Sequence, residues 1–126
     1  MKNLILGISL GLLAGCSAAP TRQDVEEFES LMTGSIPPSS VLDFASCLHD
    51  GFSQSHAILS DIDTKQQMRS DGYRVETFAG GRILVISADV LNNGHVELWE
   101  SSAAALINTS GEREAFKLCL DEYMKE

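Results

Sequence analysis

Residues 73–100, YRVETFAGGRILVISADVLNNGHVELWE, contain three extended segments separated by two turn signals. Tyr73 to Phe78 alternates apolar and polar residues, the period of a half-buried strand. Gly80-Gly81 follows as a hairpin turn. Arg82 to Val90 places Ile83, Leu84, Val85 and Ile86 in succession, as a strand buried on both faces does. Asn92-Asn93-Gly94 suits a tight turn, because Asn-Gly accepts positive φ. His95 to Glu100 alternates again, with Val96 and Leu98 opposite His95, Glu97 and Trp99. The segments therefore predict an antiparallel meander.

Outward from this centre the sequence predicts one more strand and flanking helices. Ala57 to Ile62 reads as a strand, which makes about four, and the polar run Lys65 to Gly72 reads as a turn or loop. Ser101 to Ile107 is open between a short helix and a further strand. Thr109-Ser110-Gly111-Glu112 has the pattern of a capping box. It would open a last helix with Phe116, Leu120 and Tyr123 on one side. Upstream, Thr21 and Asp24 would begin a helix carrying Val25, Phe28, Leu31 and Met32 at helical spacing, stopped by Gly34 and by Pro37-Pro38. A second helix begins at Ser39 or Ser40, buries Val41, Phe44, Ala45 and Leu48, carries Cys47 at its edge and ends at Gly51. The expected fold class is α+β: a meander of about four strands with N-terminal and C-terminal helices packed on it.

The first fifteen residues differ from the rest. Met1-Lys2 is a positive start, Leu4 to Leu13 is apolar except for Ser9, and Ala14-Gly15 is a small-residue exit. That is the layout of a secretory signal, and the apolar run falls short of the ~20 residues that span a bilayer. Leu13-Ala14-Gly15-Cys16 resembles the bacterial lipobox. The resemblance covers residues 1–17 and implies a lipoprotein precursor: a diacylglyceryl group on the Cys16 sulfur, cleavage before Cys16, and frequently acylation (palmitate) of the new amine. Ser17 stands where such lipoproteins carry aspartate for inner-membrane retention, which implies the outer membrane, facing the periplasm. One acyl chain holds a protein marginally, and two or more hold it durably. The expected organisation is a signal peptide at 1–15, a tether at 16–22 and a single small domain at 23–126.

With Cys16 lipidated, Cys47 and Cys119 remain, and in an oxidising compartment they are expected to form one disulfide rather than two buried thiols. The disulfide would bring the second and last helices together on one face of the sheet. The mature chain has eight bases against eighteen acids, a net charge of −10. Such a surface repels nucleic acid and allows a basic partner.

Catalytic and metal patterns are weak. His49, His56 and His95 lack metal spacing and read as surface histidines; no metal and no cofactor is expected. Asp61-Ile62-Asp63 fails the EF-hand pattern, since Lys65 and Gln66 stand where a ligand and glycine belong. There is no G-x-S-x-G elbow. The carboxylates Glu112, Glu114, Asp121 and Glu122 read as a charged helix face. Trp99, the sole tryptophan, reads more readily as packed beneath a helix, with partner contact as the other role.

These features predict a non-enzymatic binding or accessory lipoprotein of the cell envelope. The alternatives are an enzyme acting on envelope polymers, an inhibitor of such an enzyme, a spacer within an envelope assembly, and a prophage-type lipoprotein that blocks infection. A lysozyme inhibitor of the membrane-bound type would carry Ser-Gly-x-x-Tyr. Neither Ser110-Gly111-Glu112-Arg113-Glu114 nor Ser70-Asp71-Gly72-Tyr73 supplies it.

Overall fold

The computed structural model describes Arg22 and residues 25–56 and 61–124. Residues 1–21, with the expected signal peptide, Cys16 and most of the expected tether, lie outside them. The described chain forms β1 (Phe28–Ser35), α1 (Val41–Ser55), β2 (Ile62–Arg69), β3 (Gly72–Ala79), β4 (Ile83–Leu91), β5 (His95–Ser101) and α2 (Ser110–Met124). Short 3-10 turns lie at Val25–Glu27, Pro38–Ser40 and Ser102–Leu106. The last of these resolves the ambiguous 101–107 segment as helical.

The five strands form one antiparallel sheet in the order β1-β5-β4-β3-β2. The β3-β4-β5 meander lies where the alternation put it. Gly94 closes the β4–β5 turn at φ +94°, and its carbonyl accepts from Ile36 N–H at 2.9 Å. A Cβ there would sit 2.0 Å from the Ile36 carbonyl oxygen, so both the dihedral and the close approach require glycine.

Two elements differ from expectation. Residues 28–35 are an edge strand, not an N-terminal helix. Their register with β5 shifts between Ser30 and Met32. Such a bulge breaks the two-residue period. It leaves Leu31 and Met32, side by side in sequence, both packed against the core. With Phe28, that spacing imitates a helix. The edge strand at the other side occupies Ile62–Arg69 rather than 57–62, and residues 57–60 lie outside the described ones. On β2 only Ile62, Thr64 and Gln66 turn toward α1, and the alternate residues face solvent, so little apolar content marked it.

Both helices lie on one face of the sheet. The core joins Phe44, Leu48 and Phe52 of α1 and Phe116 of α2 to Val75, Ile86, Ala88, Val90, Val96 and Leu98. Each large side chain fully buried here contributes about 1.5–3 kcal/mol. The rings of Phe44 and Phe116 meet edge to face at 5.8 Å between centroids. α1 runs through Gly51 to Ser55, one turn beyond the expected stop. Cys47 and Cys119 form the expected disulfide, with Cα atoms 6.0 Å apart, and so tie α1 to α2. No helix among the described residues is long and apolar enough to cross a membrane.

Candidate functional site: the helix-free face of the sheet

Alternation along the strands sends every second side chain away from the helices. On that face the registers align two rungs across all five strands. One reads Lys65, Glu76, Ser87, Trp99, Ser30; the next reads Gln67, Arg74, Asp89, Glu97, Thr33. The strands that look apolar from the helix side thus carry a charged row on the other. Ser30 Oγ donates to Glu97 at 2.6 Å, and Lys65 Nζ lies 4.9 Å from the centroid of the Phe78 ring.

Arg22, which precedes β1 in sequence, lies over these rungs. Its guanidinium donates to both carboxylate oxygens of Asp89, at 2.6 and 3.2 Å, and to Ser87 Oγ at 2.7 Å. It also stands 5.2 Å from the Trp99 ring centroid and 5.6 Å from that of Phe28. Arg74 Nε gives Asp89 a further hydrogen bond at 2.9 Å. A two-pronged guanidinium–carboxylate contact fixes orientation as well as charge, and the two aromatic rings add cation–π attraction.

Two carboxyl groups on this face are pushed apart in acidity. Burial raises the pKa of Asp89, but the hydrogen bonds and positive charges of Arg22 and Arg74 outweigh it and hold the group below its ordinary range. Burial raises Glu76 above its ordinary value, and the attraction of Arg74, Arg22 and Arg69 only partly offsets this. Ser87 relays between the two, accepting from Arg22 and donating to Glu76 at 3.5 Å.

Trp99 therefore lies away from both helices, partly exposed, which corrects the reading that put it beneath one. Its indole N–H is buried and meets no acceptor among the described residues. Tyr73 packs on the core side, opposite Trp99. Sequence reasoning missed Arg22, Arg74, Glu76 and Asp89 as a group. The available signal was a polar or charged residue at alternate positions of two interior strands, Arg74 and Glu76 on β3 and Ser87 and Asp89 on β4. Nothing local marks Arg22 as their partner.

The histidines divide. His49 is half-exposed, 3.9 Å from Asp50, and His95 lies 3.4 Å from Glu97. His56 is buried, contrary to the surface reading: its Nε2 lies 2.7 Å from Oε2 of Glu112, which is 0% exposed. Glu112 is therefore not part of a charged helix face, and the capping box does not form. Glu112 is engaged by His56 and Thr109 by Glu100, while Asn108 Oδ1 accepts from Ser110 N–H instead.

A second polar feature lies at the end of the sheet. Glu29 and Glu100 pair directly across β1 and β5, and Glu100 accepts from Thr109 Oγ1 and from Arg113 at 2.7 Å. They line an open groove of ≈460 Å³ together with Ser102 and Asn108. No group of three or more His, Cys, Asp or Glu placed to hold a metal occurs among the described residues.

Comparison with protein-family models, with curated proteins and with solved structures finds no match to this chain.

Proposed function

We propose that the chain is the precursor of a lipoprotein held at the bacterial outer membrane through lipid on Cys16 and facing the periplasm, and that its domain is a non-enzymatic binding or accessory module. The observation that carries this is Leu13-Ala14-Gly15-Cys16 at the exit of a short apolar run behind a positive start. The pairing of Cys47 with Cys119 supports it, because it leaves Cys16 as the odd sulfur and suits an oxidising compartment. The acyl chains do the anchoring, so the domain needs no hydrophobic membrane-inserting surface of its own. The helix-free face, with Trp99 and four cations set among carboxylates, is the surface on which contacts are expected.

The test is mass spectrometry and membrane fractionation of the protein against Cys16→Ser. The expected result is a lipid mass increment and membrane association that the serine variant loses together. An unmodified Cys16, or a serine variant that still fractionates with membranes, overturns the reading.

A further inference from the structure

Resting on the lipid attachment proposed above, we infer that the domain lies on the bilayer in one orientation, with the helix-free sheet face turned to the headgroups and α1 and α2 turned to water. Two separate observations lead there: where the tether is fastened, and how charge is divided between the two faces.

The tether is fastened at Arg22. Its side chain contacts β4 through Ser87 and Asp89, β5 through Trp99 and β1 through Phe28. Arg22 is therefore held on the helix-free face, and the segment toward Cys16 is counted from there. Six residue steps separate Arg22 from Cys16. Fully extended they reach about 20 Å. To put the helices against the bilayer, the tether would have to round the β1 edge of the sheet. It would then have to pass a helical layer about 10 Å thick. That uses more than half of its reach, whereas the sheet face lies within reach without a detour.

Charge favours the same orientation. The two helices carry Asp43, Asp50, Glu114, Asp121 and Glu122 exposed, against Arg113 and Lys117. The sheet face carries Arg22, Lys65, Arg69 and Arg74 against Asp63, Glu76, Asp89 and Glu97, which balance in number. A headgroup surface bearing anionic lipid repels the helical layer and tolerates the balanced face. Screening confines this to the last ~10 Å of approach, the distance at which the tether holds the domain.

The sole tryptophan is a built-in reporter, because Trp99 lies on the inferred membrane side. The lipidated protein is reconstituted into vesicles of zwitterionic and anionic phospholipid containing a headgroup spin-labelled lipid. It is compared with a Trp99→Phe/Leu118→Trp variant, which moves the reporter to a 60% exposed position on α2. Trp99 emission is expected to be quenched at least twofold more than that of the relocated tryptophan. The difference should shrink in Arg22→Gln, which keeps the lipid and loses the clasp. Vesicle flotation and intact mass are recorded on each sample. Protein that floats with its lipid but quenches equally, or more strongly at position 118, overturns the orientation alone. Protein that carries no lipid and does not float overturns the anchoring reading and the orientation with it.

Discussion

Gly51 and Ala115 meet where α1 and α2 cross: a Cβ on Gly51 would come 2.6 Å from the Cβ of Ala115. One turn away Gly111 stands equally close to Ser55, with 2.5 Å from its would-be Cβ to Ser55 Oγ, and on the other side Cys47 bonds Cys119. Small residues at four-residue spacing, 47, 51 and 55 against 111, 115 and 119, let the antiparallel helices approach closely.

Gly51→Ala should therefore destabilise the domain, although alanine is the better helix former by about 1 kcal/mol. Overpacking costs about 1–3 kcal/mol and outweighs that gain. Adding Ala115→Gly should restore part of the loss. Urea midpoints of the two single variants and the pair give a coupling energy on the order of 1 kcal/mol. Simple additivity would show that the helices shift apart without cost.

Removing the disulfide should cost more. A cross-link separated by 72 residues stabilises by about 4 kcal/mol in the chain-entropy model. Domains have only about 5–15 kcal/mol in total. Cys47→Ala/Cys119→Ala is expected to be partly unfolded at 37 °C, and reductant should lower the melting temperature of the parent but leave that of the variant unchanged.

The His56–Glu112 contact predicts non-additive losses. His56→Ala leaves a fully buried carboxyl group without its partner and should cost about 3–5 kcal/mol. Exchanging both residues, His56→Leu with Glu112→Met, should cost less than the two single changes summed. Denaturant titrations with unchanged slopes would establish this, and equal or larger loss in the pair would contradict it.

Glu76 and Asp89 predict opposite pH dependences. The raised Glu76 holds its proton more tightly in the fold than in the unfolded chain, so its contribution becomes unfavourable as pH rises above 4.5. Glu76→Gln should raise the melting temperature at pH 7 and change it little at pH 4. The lowered Asp89 stabilises the fold above 3.8, and that contribution is lost as pH falls further. Asp89→Asn should therefore lower the melting temperature at pH 7, and by less at pH 2.5. Parallel melting curves for either variant and the parent across pH would refute the assignment.

The parts of this fold legible in the sequence are those in which one rule acts alone. Val75 and Leu98 lie in strands whose apolar and polar residues alternate, and the run Ile83 to Ile86 marks the strand between them. The α1 face with Phe44 and Leu48 was placed from helical spacing. β1 was misread because the bulge after Ser30 broke its alternation. β2 was missed because an edge strand buries one face, and here that face is Ile62, Thr64 and Gln66, only the first of them apolar. Gly51 looked like a helix stop because local propensity cannot register a neighbouring helix. Trp99 was identified as a candidate contact residue, but its surroundings were not, since Arg22 reaches it from 77 positions away in sequence.

The sheet order also favours one sequence of assembly. β1 is joined to the rest of the sheet only through β5, with Phe28 opposite Ser101. Strand pairing over such a separation closes slowly, because a long loop must be ordered before the contact rewards it. β3, β4 and β5 can zip through adjacent hairpins while β1 waits. A chain delivered amino end first would thus expose its earliest strand for longest, an interval in which a chaperone that shields strand edges would have its greatest effect on yield.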